Sequence, residues 1–102
     1  MEPFSIHYVE KMLSYIVEFL GTFLFASVVV ATGQPILMAL ALLLVILLGT
    51  SISGAHFNPA LSLMFWAKGA ITNMDLAGYI VAQMMGGIGA LAVFNLLTKK
   101  SL

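Results

Sequence analysis

Ser51-Ile52-Ser53-Gly54-Ala55-His56-Phe57-Asn58-Pro59-Ala60-Leu61-Ser62-Leu63-Met64-Phe65-Trp66-Ala67-Lys68 has a small, polar first part and an apolar second part with helical spacing. Asn58 is a favoured N-cap, and Pro59 at the first helical position gives up no needed N–H, so a helix is predicted over 59–68. Ten residues rise about 15 Å at 1.5 Å each, half of a ~30 Å bilayer core. Two readings fit. One is an ordinary surface turn leading into an interfacial helix, with Trp66 and Lys68 at the headgroups. The other is a re-entrant segment in which backbone enters through Gly54 and Ala55, turns at Asn58 and returns as a half-helix. Irregular backbone at that depth is tolerated only where protein buries it or where it lines a wet cavity. The second reading therefore implies a pore.

On either side of this stretch the chain is built for a membrane. Of its 102 residues 62% are hydrophobic and 8% charged, against roughly 25% charged in a soluble domain. A helix needs about 20 apolar residues to cross the bilayer core, and that ruler predicts spans over about 12–31, 36–52 and 74–97, with residues 1–11 as a short polar lead-in. The first span is too long for a signal h-region and contains Glu18, so it is read as retained rather than cleaved. Zero net charge, without a basic cluster, speaks against nucleic acid as partner. Two histidines, four acids and no cysteine leave little for metal, cofactor or acid–base chemistry, and an enzyme is not expected.

At this point three motifs carry a resemblance. Ser53-Gly54-Ala55-His56-Phe57-Asn58-Pro59-Ala60 looks like the first Asn-Pro-Ala box of the aquaporin and glycerol-facilitator (major intrinsic protein) family. Glu18-Phe19-Leu20-Gly21-Thr22-Phe23 resembles that family's first-helix signature. Gly78-Tyr79-Ile80-Val81-Ala82-Gln83 followed by Gly86-Gly87 resembles its third helix. The resemblance covers about residues 10–97 and implies an all-α membrane protein, three transmembrane helices plus one re-entrant half-helix, as half of an aquaporin-like bundle, with residues 12–102 forming a single repeat. Family members carry two such repeats of inverted topology; the second box, the arginine that follows it and the fifth-helix filter residue are not found in this sequence.

The resemblance also assigns roles. A half-helix N-terminus exposes unpaired N–H groups and about half a positive charge, which repels cations and tolerates neutral solutes. Asn58, Pro59 and Ala60 would sit at that end, with the carbonyls of Gly54, Ala55 and His56 as an acceptor row leading to it. His56 is read as holding the loop rather than as a titratable gate. A charge as deep as Glu18 costs at least ~2.5 kcal/mol, so it needs partners: hydrogen bonds from the loop, or titratable neighbours in a proton relay, of which none is visible. Gln83 has the same two readings, and loop support is preferred for both. Gly78, Ala82, Gly86 and Ala90 recur every fourth residue as a small-residue ridge for close helix packing. Met38, twenty residues before Asn58, matches the family's second-helix filter position. Symmetry would place Ile46 and Leu61 at the two filter positions of a second repeat.

The expected function is a passive channel component for water or small uncharged solutes such as glycerol, without cofactor. The pore would be completed by a second copy in an antiparallel homodimer, or by a separately encoded second repeat, and the family implies a higher oligomer, a tetramer of complete pores. With the family's N-terminus inside, Lys11 and Lys68 lie inside and Lys99 and Lys100 outside, a balance that dual insertion requires. The alternative is a non-conducting structural subunit of a membrane assembly.

Overall fold

The computed structural model describes residues 5–99; residues 1–4 of the lead-in, and 100–102 with Lys100, lie outside the described residues. Four helices follow one another: α1 (Ile6–Thr32), α2 (Pro35–Ser53), α3 (Pro59–Ala67) and α4 (Asn73–Leu97). The first, second and fourth are long and apolar enough to cross a membrane. The first begins earlier than the apolar run, inside the 1–11 segment, because Ser5 Oγ accepts the His7 N–H and starts the helix at Ile6. Gly33, at φ 60°, ends it with its N–H on Val29 O, and Pro35 opens α2 one residue beyond Gln34.

Helix α1 lies at the centre, with α2 and α4 packed on two sides of it but not on each other; α3 packs on α4. Ala41, Val45 and Gly49, spaced by four, are the buried residues of α2 above Ser53. The small-residue ridge of α4 is where α1 comes close. A methyl added at Gly78 would lie 2.6 Å from the Tyr15 ring, and one at Gly86 would lie 2.8 Å from the Phe19 carbonyl oxygen. The latter neighbour is backbone and cannot swing away. Gly86→Ala is therefore expected to cost about 1–3 kcal/mol. Gly87, whose added methyl meets nothing within 4 Å, should accept alanine with a gain of up to about 1 kcal/mol from helix propensity. Melting of the two variants in detergent checks the contrast.

One end of the bundle carries the polar contacts expected of a membrane surface. Lys11 Nζ pairs with Asp75 Oδ1 at 2.6 Å, and Trp66 Nε1 donates to Asn73 Oδ1 at 2.7 Å, which puts the end of α3 beside the start of α4. Gln83 lies ten residues further along α4, about 15 Å at 1.5 Å per residue. Its side chain reaches Ser62 Oγ on α3 at 2.9 Å. The half-helix thus starts near mid-depth and returns to the surface from which α1 and α4 set out. Of the two sequence readings, this is the re-entrant one.

Candidate functional site

The segment between α2 and α3 has a backbone that its side chains alone do not favour. Gly54, Ala55 and Phe57 all have positive φ, at 88°, 55° and 51°, and for the last two that conformation is strained. It is held by Glu18, which is wholly buried and accepts four hydrogen bonds. Oε2 takes Ser53 Oγ at 2.7 Å and the His56 N–H at 2.9 Å; Oε1 takes the Phe57 N–H at 2.7 Å and Gln83 Nε2 at 2.9 Å. Every partner is a donor, so Glu18 acts purely as an acceptor. The Phe57 ring is wedged between α1 and α2, where a methyl at Gly21 would come within 2.1 Å of it and one at Gly49 within 2.9 Å. It helps line an apolar groove of about 250 Å³ between those helices, together with Leu20, Leu24 and Leu48.

Gln83 Nε2 donates to both Glu18 Oε1 and Ser62 Oγ, leaving its buried Oε1 without a partner. The reversed amide would set that oxygen against the carboxylate, which is worse. Ser62 Oγ, which accepts from Gln83, also lies 2.8 Å from His56 Nδ1, and can donate its own proton there when that nitrogen carries none. A neutral His56 carrying its proton on Nε2 fits that pattern. The ring is stacked on Phe65, with centroids 4.5 Å apart, and meets Tyr79 edge-on at 4.8 Å. A second tier lies one helical turn towards the surface. There Ser14 Oγ donates to Ile52 O at 2.9 Å and Tyr79 Oη donates to Ser53 O at 2.6 Å, satisfying two carbonyls at the end of α2.

What the network leaves free is a polar strip. Among the described residues none donates to the carbonyls of Gly54, Ala55, His56 or Phe57. Asn58 caps α3 through Oδ1, which accepts the Ala60 N–H at 2.8 Å, so its Nδ2 protons remain available. The Leu61 N–H, third in the helix, is likewise unpaired. Gly54, Asn58, Ala60 and Leu61 are exposed, Ala55 and Pro59 are partly so, and the side chains of His56 and Phe57 are turned into the protein. Four acceptors thus run in sequence up to a cluster of donors at the positive end of a helix. Such a row can hand a small hydrogen-bonding neutral molecule from site to site and disfavours a cation at its end.

Met38 is half-buried on α2, and Ile46 is exposed there. Because α2 and α3 do not pack together, a single chain does not bring these two residues next to Leu61. Sequence reasoning singled out Glu18 and Gln83 but passed over Ser14, Ser53, Ser62 and Tyr79 as functional positions. Spacing offered a signal for two of them: Ser14 and Tyr79 stand four residues before Glu18 and Gln83, on the same helix faces.

Comparison with known proteins bears on the whole chain. The family described as Major intrinsic protein matches residues 5–102. The chain is 44% identical over 68 residues to the aquaglyceroporin AqpS of Rhizobium meliloti (strain 1021), an alignment that covers 67% of this chain and 27% of that protein. It is 40% identical over 90 residues to glycerol uptake facilitator protein-like 6 of Lactiplantibacillus plantarum, covering 79% and 42%. To aquaporin Z of Photorhabdus laumondii it is 37% identical over 91 residues, covering 74% and 39%. The aligned part is less than half the length of each of these relatives. No solved structure matches significantly.

Proposed function

This chain belongs to the major intrinsic protein family, and we propose that it forms half of a passive channel for water or small uncharged solutes such as glycerol. The observation that carries this reading is the polar strip at mid-depth, on a face that neither α2 nor α3 closes. Unpaired carbonyls at residues 54–57, the Asn58 amide and the Leu61 N–H cannot face hydrocarbon at a cost of several kcal/mol each. Water and a complementary half satisfy them together. The complement is a half of inverted topology, from a second copy in the opposite orientation or from a separately encoded second repeat, and complete pores assemble further as tetramers. The relatives named for glycerol and water transport support the solute class without choosing within it.

Vesicles containing only this chain test the reading. Stopped-flow swelling faster than in protein-free vesicles, with single cysteines at Ser5 and Thr98 each labelled equally from both sides, is the result expected of an antiparallel pair. One-sided labelling with swelling restored by an added second repeat selects the separate partner. Vesicles that stay impermeable with either complement leave the chain as a structural subunit.

A further inference from the structure

We propose that Tyr79 is a positioning residue, a strut that sets the separation of α2 from α4 and with it the aperture beside the re-entrant loop. Helix α2 is tied to α1 along its length through Ala41, Val45 and Gly49, but it does not pack on α4. The gap between α2 and α4 is the space that the loop spans between Ser53 and Asn58. Tyr79 crosses it: from α4 its Oη donates to the carbonyl of Ser53, the last residue of α2, at 2.6 Å. Its ring is buried at 6% exposure. The same ring braces His56 in the loop at 4.8 Å and Tyr15 on α1 at 5.9 Å, edge-on in both cases. Tyr15 is anchored in turn, its Oη donating to Asp75 Oδ1 at 2.9 Å beside Lys11. The strut thus rests on the membrane-surface ion pair at one end and on the start of the carbonyl row at the other.

The Ser53 carbonyl is the one just before the free row of Gly54 to Phe57. Held by Tyr79, it points to α4 and the row begins at Gly54. Released, it loses the hydrogen bond that it makes among the described residues, and the end of α2 is free to splay away from α4. A wider gap admits a larger neutral solute more readily and grips a single water less well.

Tyr79→Phe keeps the ring contacts and removes only the hydroxyl. Ser14→Ala is the comparison, because it removes a hydroxyl that bonds Ile52 O and Glu10 O and lies beside Tyr79 Oη, while the Tyr79 hydroxyl stays on Ser53 O and α2 stays packed on α1. Two readouts are taken in vesicles from folded protein with its complementary half. The first is the distance between spin labels at Leu47 and Met84, positions of α2 and α4 that are 70% and 60% exposed. It is expected to lengthen in Tyr79→Phe and to stay put in Ser14→Ala. The second is the glycerol-to-water permeability ratio, expected to rise by up to about fivefold in Tyr79→Phe, the factor by which one net hydrogen bond can shift the balance between a held and a splayed α2. A merely structural role would lower both permeabilities in proportion to the folded amount and leave their ratio alone. An unchanged distance overturns the strut, and a lengthened distance with an unchanged ratio overturns its control of the aperture. Only the second readout rests on the channel reading: a wild type that conducts nothing refutes that reading and the aperture role with it, while the distance still decides the strut.

Discussion

Glu18→Ala is expected to release the re-entrant loop. Four donors lose their acceptor at once: Ser53 Oγ, the backbone N–H groups of His56 and Phe57, and Gln83 Nε2. A buried donor left unpaired costs about 1–3 kcal/mol. The serine hydroxyl can rotate and the glutamine amide keeps Ser62, so the minimum is set by the two backbone groups, at about 2 kcal/mol together. Those same two groups hold Ala55 and Phe57 at positive φ, so their release also lets a strained backbone relax away from its re-entrant shape. Glu18→Gln retains one oxygen for Phe57 and Gln83 and presents its NH2 to Ser53, which can turn to accept, and to His56, which cannot. It should lose about half as much. Thermal stability in detergent and protease cleavage near Phe57 report the order, wild type above glutamine above alanine. Equal stability of all three would remove Glu18 as the loop's support. The proton-relay alternative finds no help in the geometry, since among the described residues the partners of the carboxylate are a serine hydroxyl, two backbone N–H groups and an amide, with no titratable side chain to carry a proton onward.

How much of this was legible beforehand depends on the range of the cause. The three spans and the half-helix were readable because hydrophobic length and the Asn58-Pro59 cap are local properties of the chain. The start of α1 was not. The apolar run begins near Met12, whereas the helix begins at Ile6, because Ser5 caps it and Lys11 meets Asp75, a residue 64 positions away. The small-residue ridge of α4 announced a close approach, and the sequence alone did not say that α1 would be the neighbour. Glu18 and Gln83 were conspicuous as polar groups in apolar helices. Tyr79 was not, since an aromatic in a membrane helix has the look of packing until its hydroxyl is seen on the Ser53 carbonyl. The positive φ values at Ala55 and Phe57 were equally hidden. Local preference would place glycine there, and the carboxylate that overrides the preference comes from another helix.

The second large effect concerns the outer constriction. An antiparallel pair, as proposed, would set Met38 of one chain against Ile46 and Leu61 of the second copy across the constriction, and all three are apolar. Cation exclusion then rests on the two half-helix ends at Asn58 and on the cost of dehydrating an ion in a hydrophobic neck. Water loses hydrogen bonds in such a neck, so the unmodified chain should conduct neutral solutes weakly. Leu61 is 41% exposed, with its own N–H unpaired, on the first turn of α3 beside the Asn58 donors. A guanidinium at that position adds a fork of side-chain donors to the apolar neck, at a cost of about 0.3–1 kcal/mol for a cation near a helix N-terminus. Leu61→Arg is therefore expected to raise the rate of water permeation severalfold while lowering that of cations, and to lower the melting temperature only slightly. Stopped-flow swelling and a proton-leak assay on vesicles containing each protein provide the comparison, with melting in detergent showing that the variant is folded. A wild type already fast for water and tight to protons contradicts an apolar filter. A folded arginine variant that permeates as wild type does places Leu61 away from the constriction and removes the antiparallel arrangement that put it there.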